Sequence, residues 1–386
     1  MAERYSRIAV VKTGSSVLIE EAGEVKQDAL AGIVADAIRL RQAGWGLLWV
    51  VSGAVAHGKA VLRVPQVQEF STTDLQAISA IGQGDLYQRI AAQFGESGEK
   101  TAQMLLTFTE VTDRRSYLRV QGALRRLLHW EVTPIVNEND SVTTEGVSFG
   151  NNDWLAAQVA CLMQADRLVM LTGTPGVMTA DPRYNEGAET LDVIDDVDRF
   201  LEGDARARYA SKGSLVGKGG MEAKLRAAEL AARRGIGVSI GSLQSGSLYA
   251  HVNGEAPATT VRAPVAQHSE RGNFRFWLEH ARQSRGWVSV DEGAVSALRR
   301  SKGASLLPVG VVDAGGEFEA GDAIEVRDSE KRAVAKGIAK FSRRELQLLA
   351  NARALDPEIL PEDARTEVIH RDEMILLQPD GVSSLG

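Results

Sequence analysis

Lysines, glycines and short polar residues gather at a few places in this chain, in combinations suited to holding phosphate. The stretch VVKTGSSVL carries Lys12 out of an apolar run into a turn built on Gly14 and two serines. Such a turn can bring backbone N–H groups close to phosphate oxygens, with an ammonium beside them. It is not a Walker A loop, whose glycine and lysine spacing is absent there. A second stretch, VGKGGMEAKLRAAELAARRG, places Gly217, Lys218, Gly219 and Gly220 ahead of a helical pattern, then Met221, Glu222, Ala223 and Lys224 in its opening turn. Glycines let a backbone approach an anion closely, and Lys224 can reach back over it; a flexible loop before a solvated basic helix is the plainer reading. In VVSGAVAHG, Ser52 and Gly53 close an apolar run and open a helix, where serine serves an anion site or acts as an ordinary N-cap. In LVMLTGTPGVMTADPRYN, Thr172 and Gly173 end a buried run and lead into a turn stiffened by Pro182, able to frame a base and ribose. Finally NENDSVTTEGVSFGNND, from Asn137 to Asp153, crowds amides and carboxylates at both ends. A loop of that kind is either disordered surface or a binding site on a rigid frame.

The elements around these stretches decide between the two. RIAVVK, GLLWVVS, VTPIVNEND, RLVMLTG and IGVSIGS read as strands, with AQMLLT as a further apolar run among them. Between them, helical periodicity predicts helices at 28–44, with an Asp N-cap and terminal glycine, then at 75–94, 112–130, 153–163 and 220–234. Strands alternating with amphipathic helices predict an α/β protein, a three-layer αβα sandwich around a mostly parallel sheet. Ligands of such sheets sit at the carboxyl ends of the strands, where every polar stretch above falls. Residues 1–261 form this domain and 262–285 a linker with a short helix. Short β-type runs with glycine-rich turns then predict a small β-rich domain at 286–364, followed by a tail at 365–386.

Composition narrows the function. The 386 residues are 44% hydrophobic and 25% charged, an ordinary globular balance long enough for two or three domains. A net charge of -7 argues against a general polyanion binder. The single cysteine, Cys161, lies in an apolar helical pattern; it excludes an internal disulfide and fits a reducing compartment. No run approaches the roughly 20 apolar residues of a membrane span, and the N-terminal apolar run is too short for a signal peptide. A cytoplasmic protein without membrane association is expected.

Jointly VVKTGSSVL, VVSGAVAHG, QMLLT, PIVNENDSV, NNDWLAA, LTGTPGVMTADPR and GKGGMEAKLRAA resemble, in order and spacing, the amino acid kinase superfamily, and most closely the glutamate 5-kinases. The segment with VDEGA, GASLLPVGVV and GD is similar to the PUA domain found after many bacterial members. The resemblance implies transfer of the ATP γ-phosphoryl group, with magnesium, to the side-chain carboxylate of glutamate, the first step of proline biosynthesis. It implies that Lys12 and Lys224 contact the transferring group and that Asp153 orients them. It places Ser52, Asp140 and Asn152 on the glutamate, with Asp140 at its ammonium. Lys12, Thr172, Gly173 and the segment Lys218, Gly219, Gly220, Met221, Glu222, Ala223 and Lys224 fall on the nucleotide, with no protein ligand assigned to a metal. It further implies feedback inhibition by proline and assembly as a homodimer or homotetramer. The chain departs from the family at Asn151 and Gly173, where an acid is usual, and at Lys218, where a small hydroxyl residue is usual. The nearest rival reading is a sister kinase acting on another carboxylate, a carbamate or a nucleotide. RNA binding through the PUA-like domain is disfavoured, because residues 286–364 carry 11 Lys and Arg against 14 Asp and Glu.

Overall fold

The computed structural model describes residues 4–65, 70–107, 110, 114–142, 152–180, 185, 187–201, 220–262, 278, 284–300, 304–355 and 366–377. The chain divides into two compact units, Met1–Ala266 and Gln267–Gly386. In the first, strands β1 (Arg7–Thr13), β2 (Trp45–Val50), β3 (Lys100–Leu106), β4 (Val132–Glu138), β5 (Arg167–Leu171), β6 (Val193–Ile194), β7 (Gly237–Gly241) and β8 (Thr259–Val261) make one sheet in the order β3-β4-β2-β1-β5-β7-β8-β6. Every neighbouring pair is parallel except β7 with β8. Its central strands read as apolar runs because both faces are covered: all six residues of β2, WGLLWV, are buried.

Among the described residues this unit also has helices α1 (Ser15–Leu18), α2 (Gln27–Gln42), α3 (Ala54–Val61), α4 (Thr72–Gly95), α5 (Arg114–His129), α6 (Asn152–Met163), α7 (Val197–Leu201), α8 (Met221–Ala232) and α9 (Leu248–Asn253). On one face Val11, Trp49 and Ile135 of the strands pack with Leu30 and Ile33 of α2 and with Leu86, Ile90 and Phe94 of α4. Side chains alternate along a strand, so Lys12 points to the face opposite Val11. That second face is covered by α6, whose twelve residues are all buried, with α8 packed beside it. Ala156, Ala157 and Ala160 keep α6 thin enough to lie close to the strands.

Helix starts differ from the sequence expectation for identifiable reasons. The N-cap of α2 is Lys26, and Asp28 sits inside the first turn, where a carboxylate complements the helix dipole. α4 begins at Thr72, because Ser71 and Asp74 form a reciprocal capping box. The N-cap of α3 is Gly53, not Ser52; its φ is +110°, and a Cβ there would lie 2.6 Å from Ile19 Cγ1, so the position demands glycine on both counts. α3 and α4 then cross at bare backbone: a Cβ on Gly82 would fall 1.9 Å from the Ala54 carbonyl oxygen, and one on Gly58 2.1 Å from that of Ile78. His57 ties the crossing together through Asp85 of α4 at 2.6 Å and the Gly23 carbonyl at 2.9 Å.

The second unit has its own sheet, β10-β9-β11-β12-β13, from β9 (Gly286–Val290), β10 (Val311–Gly316), β11 (Ala323–Arg327), β12 (Ala333–Ile338) and β13 (Met374–Leu376). Helices α10 (Glu292–Leu298) and α11 (Arg343–Leu355) accompany it. Val288, Ile324, Val326, Val334, Leu346 and Ile369 belong to its separate core. The expected end of this domain at 364 falls short: β13 pairs antiparallel with β12, and Val368 and Ile369 are fully buried. A three-residue strand is too short to show periodicity. Most of the expected linker lies outside the described residues. Among the described residues no helix is long and apolar enough to cross a membrane.

Candidate active site

Three charged side chains meet at the carboxyl end of the central strand. Lys12, next to last in β1, and Lys224, in the first turn of α8, each bring Nζ to the same oxygen, Oδ1 of Asp153, at 2.9 and 2.8 Å. Asp153 stands in the first turn of α6. Strand alternation aims Lys12 at α6, and the packing of α8 on α6 supplies Lys224 from the other side. All three are buried. Burial alone would raise the Asp153 carboxyl, but the Lys12 and Lys224 ammonium groups hold it well below the usual carboxylate range. Burial is the largest influence on Lys12; Asp153 opposes it and Lys224 adds to it, leaving the ammonium lowered to about 8.

Gly14 shapes the neighbouring turn. Its N–H donates to the Leu171 carbonyl at 3.0 Å, binding the end of β1 to the end of β5. A Cβ at Gly14 would lie 3.9 Å from Lys12 Nζ, so the turn runs directly beside the ammonium. On the nucleotide side expected from sequence, Thr172 N–H donates to the Gly241 carbonyl at 2.8 Å, fixing β5 against β7. Gly173 follows, exposed, and a Cβ on it would approach Ser16 Oγ to 3.3 Å. Gly220 is the N-cap of α8, in extended conformation, and Met221, Glu222 and Ala223 lie half-buried in its opening turn. Lys218, Gly219 and Asn151 lie outside the described residues, as does the middle of the polar segment, 143–150.

The remaining expected residues cluster at the ends of β2 and β4. Ser52 is half-buried just past β2. Asn152 is buried, and its Oδ1 accepts the Glu138 N–H at 3.1 Å, which ties the end of β4 to the start of α6 and leaves the amide nitrogen as its donor end. Asp140 is buried and its Oδ2 accepts from Ser79 Oγ at 2.9 Å. Ser79 and its helical neighbour Gln83 escaped the sequence reading. The signal was present as two polar residues interrupting the buried stripe of α4, at Ile78, Ser79, Gly82, Gln83, Leu86, Ile90 and Phe94.

Two buried ammonium groups aimed at one point, with a carboxylate to register them and glycine turns alongside, suit transfer of a highly charged phosphoryl group rather than nucleophilic catalysis by the protein. Residues 7–242 match the amino acid kinase family and residues 286–358 the PUA domain, so fold and site define a kinase of that class. A protein of Pseudoalteromonas translucida (strain TAC 125), glutamate 5-kinase 2, is 36% identical over 96% of this chain and 99% of its own length. Glutamate 5-kinases of Cupriavidus taiwanensis and Ralstonia nicotianae are each 38% identical, over 95% and 96% of this chain and 97% and 98% of theirs. The chain belongs to the amino acid kinase family and, within it, to the glutamate 5-kinases.

Proposed function

We propose that the protein transfers the γ-phosphoryl group of ATP to the side-chain carboxylate of L-glutamate, giving L-glutamyl 5-phosphate and ADP, the first step of proline biosynthesis. The observation that carries this reading is the convergence of Lys12 and Lys224 on a single oxygen of Asp153. A carboxylate oxygen attacks the γ-phosphorus while the bond to the β,γ-bridging oxygen breaks and its electrons leave with ADP. Anion meets anion, so the barrier falls only if both are neutralised and aligned in advance. Lys12 serves the transferring group from the strand side and Lys224 from the nucleotide side. Asp153 does not react; it sets their direction and lowers the cost of burying two like charges.

Asp140 is assigned to the glutamate ammonium, and the Asn152 amide and Ser52 hydroxyl to its remaining polar groups. The nucleotide is assigned to Thr172, Gly173 and the turn leading to Lys224. Magnesium fits here as an ion carried by the triphosphate. Asp153 Oδ1 already accepts two ammonium groups, which leaves that oxygen poorly suited to a metal. When bound it neutralises phosphate charge. We further assign proline as an inhibitor overlapping the glutamate site and a homodimer or homotetramer as the working form.

Purified protein incubated with ATP, magnesium and a panel of acceptors tests the reading. ADP release should require L-glutamate, and hydroxylamine should trap an acyl phosphate. Equal release with aspartate, carbamate or a nucleoside monophosphate would assign the site to a sister kinase. A glutamate titration left unmoved by proline removes the inhibitor assignment, and sedimentation as a monomer removes the assembly.

A further inference from the structure

The polar interruption in α4 points to an unassigned contact with the substrate. Leu86, Ile90 and Phe94 belong to the same core cluster as Ile135, and strand alternation puts Thr133 and Asn137 on the face of β4 that carries Ile135. Ser79 lies near the start of the buried stripe of α4 and is bonded to Asp140, and Leu86 lies about two turns further along it, in the same core cluster as Ile135. Gln83 therefore stands between them on the helix, as Asn137 stands between Asp140 and Ile135 on the strand side. Gln83 is 8% exposed and Asn137 4%. Among the described residues neither Gln83 Oε1 nor Asn137 Oδ1 has a hydrogen-bond partner. A buried acceptor without a donor is costly, and these two stand on α4 and at the end of β4, the two segments joined by the bond between Ser79 and Asp140, so a donor-rich group bound there would satisfy both. A primary ammonium is such a group, with three N–H donors, no acceptor and a charge opposite to Asp140.

We propose that Gln83 is a substrate-binding residue, whose Oε1 joins Asn137 Oδ1 and the Asp140 carboxylate in a cradle for the α-ammonium of the amino acid. This rests on the glutamate reading above and adds a residue to it. The helix thereby becomes part of the substrate site, and discrimination for an amino acid over a plain dicarboxylate is built partly into α4.

The test compares Gln83→Met, which keeps length and loses the acceptor, with Gln83→Glu, which keeps it. Gln83→Met should raise the glutamate KM about 10- to 100-fold, the range of a charge-assisted hydrogen bond, with kcat and the ATP KM within about threefold of the parent. Gln83→Glu should hold the glutamate KM within about fivefold. Glutarate, which lacks the ammonium, gives a second readout as a competitor. Its inhibition constant should stay near the parent value in Gln83→Met, so that the ratio of that constant to the glutamate KM falls. The proposal is overturned by an unchanged glutamate KM in Gln83→Met, by a glutarate ratio equal in parent and variant, or by parallel losses in glutamate and ATP KM with a lowered melting temperature in both variants. Failure of the parent to use glutamate at all is a separate result and strikes the functional reading instead.

Discussion

Asp153 Oδ1 accepts from both Lys12 and Lys224, so a change at one lysine is felt by the other through it. Lys12→Met and Lys224→Met should each lower kcat by about a hundred- to thousandfold, the usual loss when one preorganised electrostatic donor is removed. Asp153→Ala leaves two like charges buried together and should cost about 3 to 5 kcal/mol of stability in denaturant unfolding. Adding Lys224→Met to that variant should recover part of the loss, which a thermal melt of the double variant will show. The pH dependence follows from Lys12, drawn to about 8. Its cationic form does the work, so kcat/KM for ATP should be level below that pH and fall as pH rises through it, as free-enzyme groups govern that ratio. In stability the sign reverses. A lysine with a lowered folded pKa burdens the fold while charged, so its penalty is present below about 8 and fades as pH climbs toward the ordinary 10.5. Asp153 acts the other way, stabilising above the ordinary carboxylate range and losing that effect only as pH drops through its depressed folded value.

At the scale of elements, the site depends on how closely α3 and α4 cross. Gly82→Ala would force a methyl into the Ala54 carbonyl and should destabilise by about 1 to 3 kcal/mol. Because the same helix carries Ser79 and Gln83, the variant should raise the glutamate KM more than the ATP KM, measurable in one set of steady-state titrations. The sequence made the strands legible: β1, β2 and β5 are apolar runs ending in polar turns, and the parallel sheet followed from their alternation with helices. It marked Lys12 and Lys224 as candidates for a phosphate site through their glycine neighbours, while Asp153 entered only by resemblance, since one carboxylate among amides carries no local mark; the structure brings the three side chains together. Ser79 and Gln83 stayed hidden because a helix stripe is read for its apolar members. Ser52 suggested an N-cap, yet the tight approach of Ile19 gives that position to Gly53, a contact between residues far apart in sequence.

In the whole molecule, each compact unit has a core of its own, with no residue common to the two clusters. A chain ending at Arg262 should therefore fold and retain phosphoryl transfer within about tenfold in kcat, and the full-length protein should show two calorimetric transitions. The placing of Asp153 has a longer reach. Because α6 has no side in water, its amides should be among the last to exchange with deuterium, opening only when the unit comes apart. No surface position there offers room for adjustment, so variation in acceptor preference should fall outside the body of α6, in the polar segments around the strand ends and at Gln83 of α4. The reaction is thus fixed in the frame, and selectivity is left to parts that can change without unmaking it.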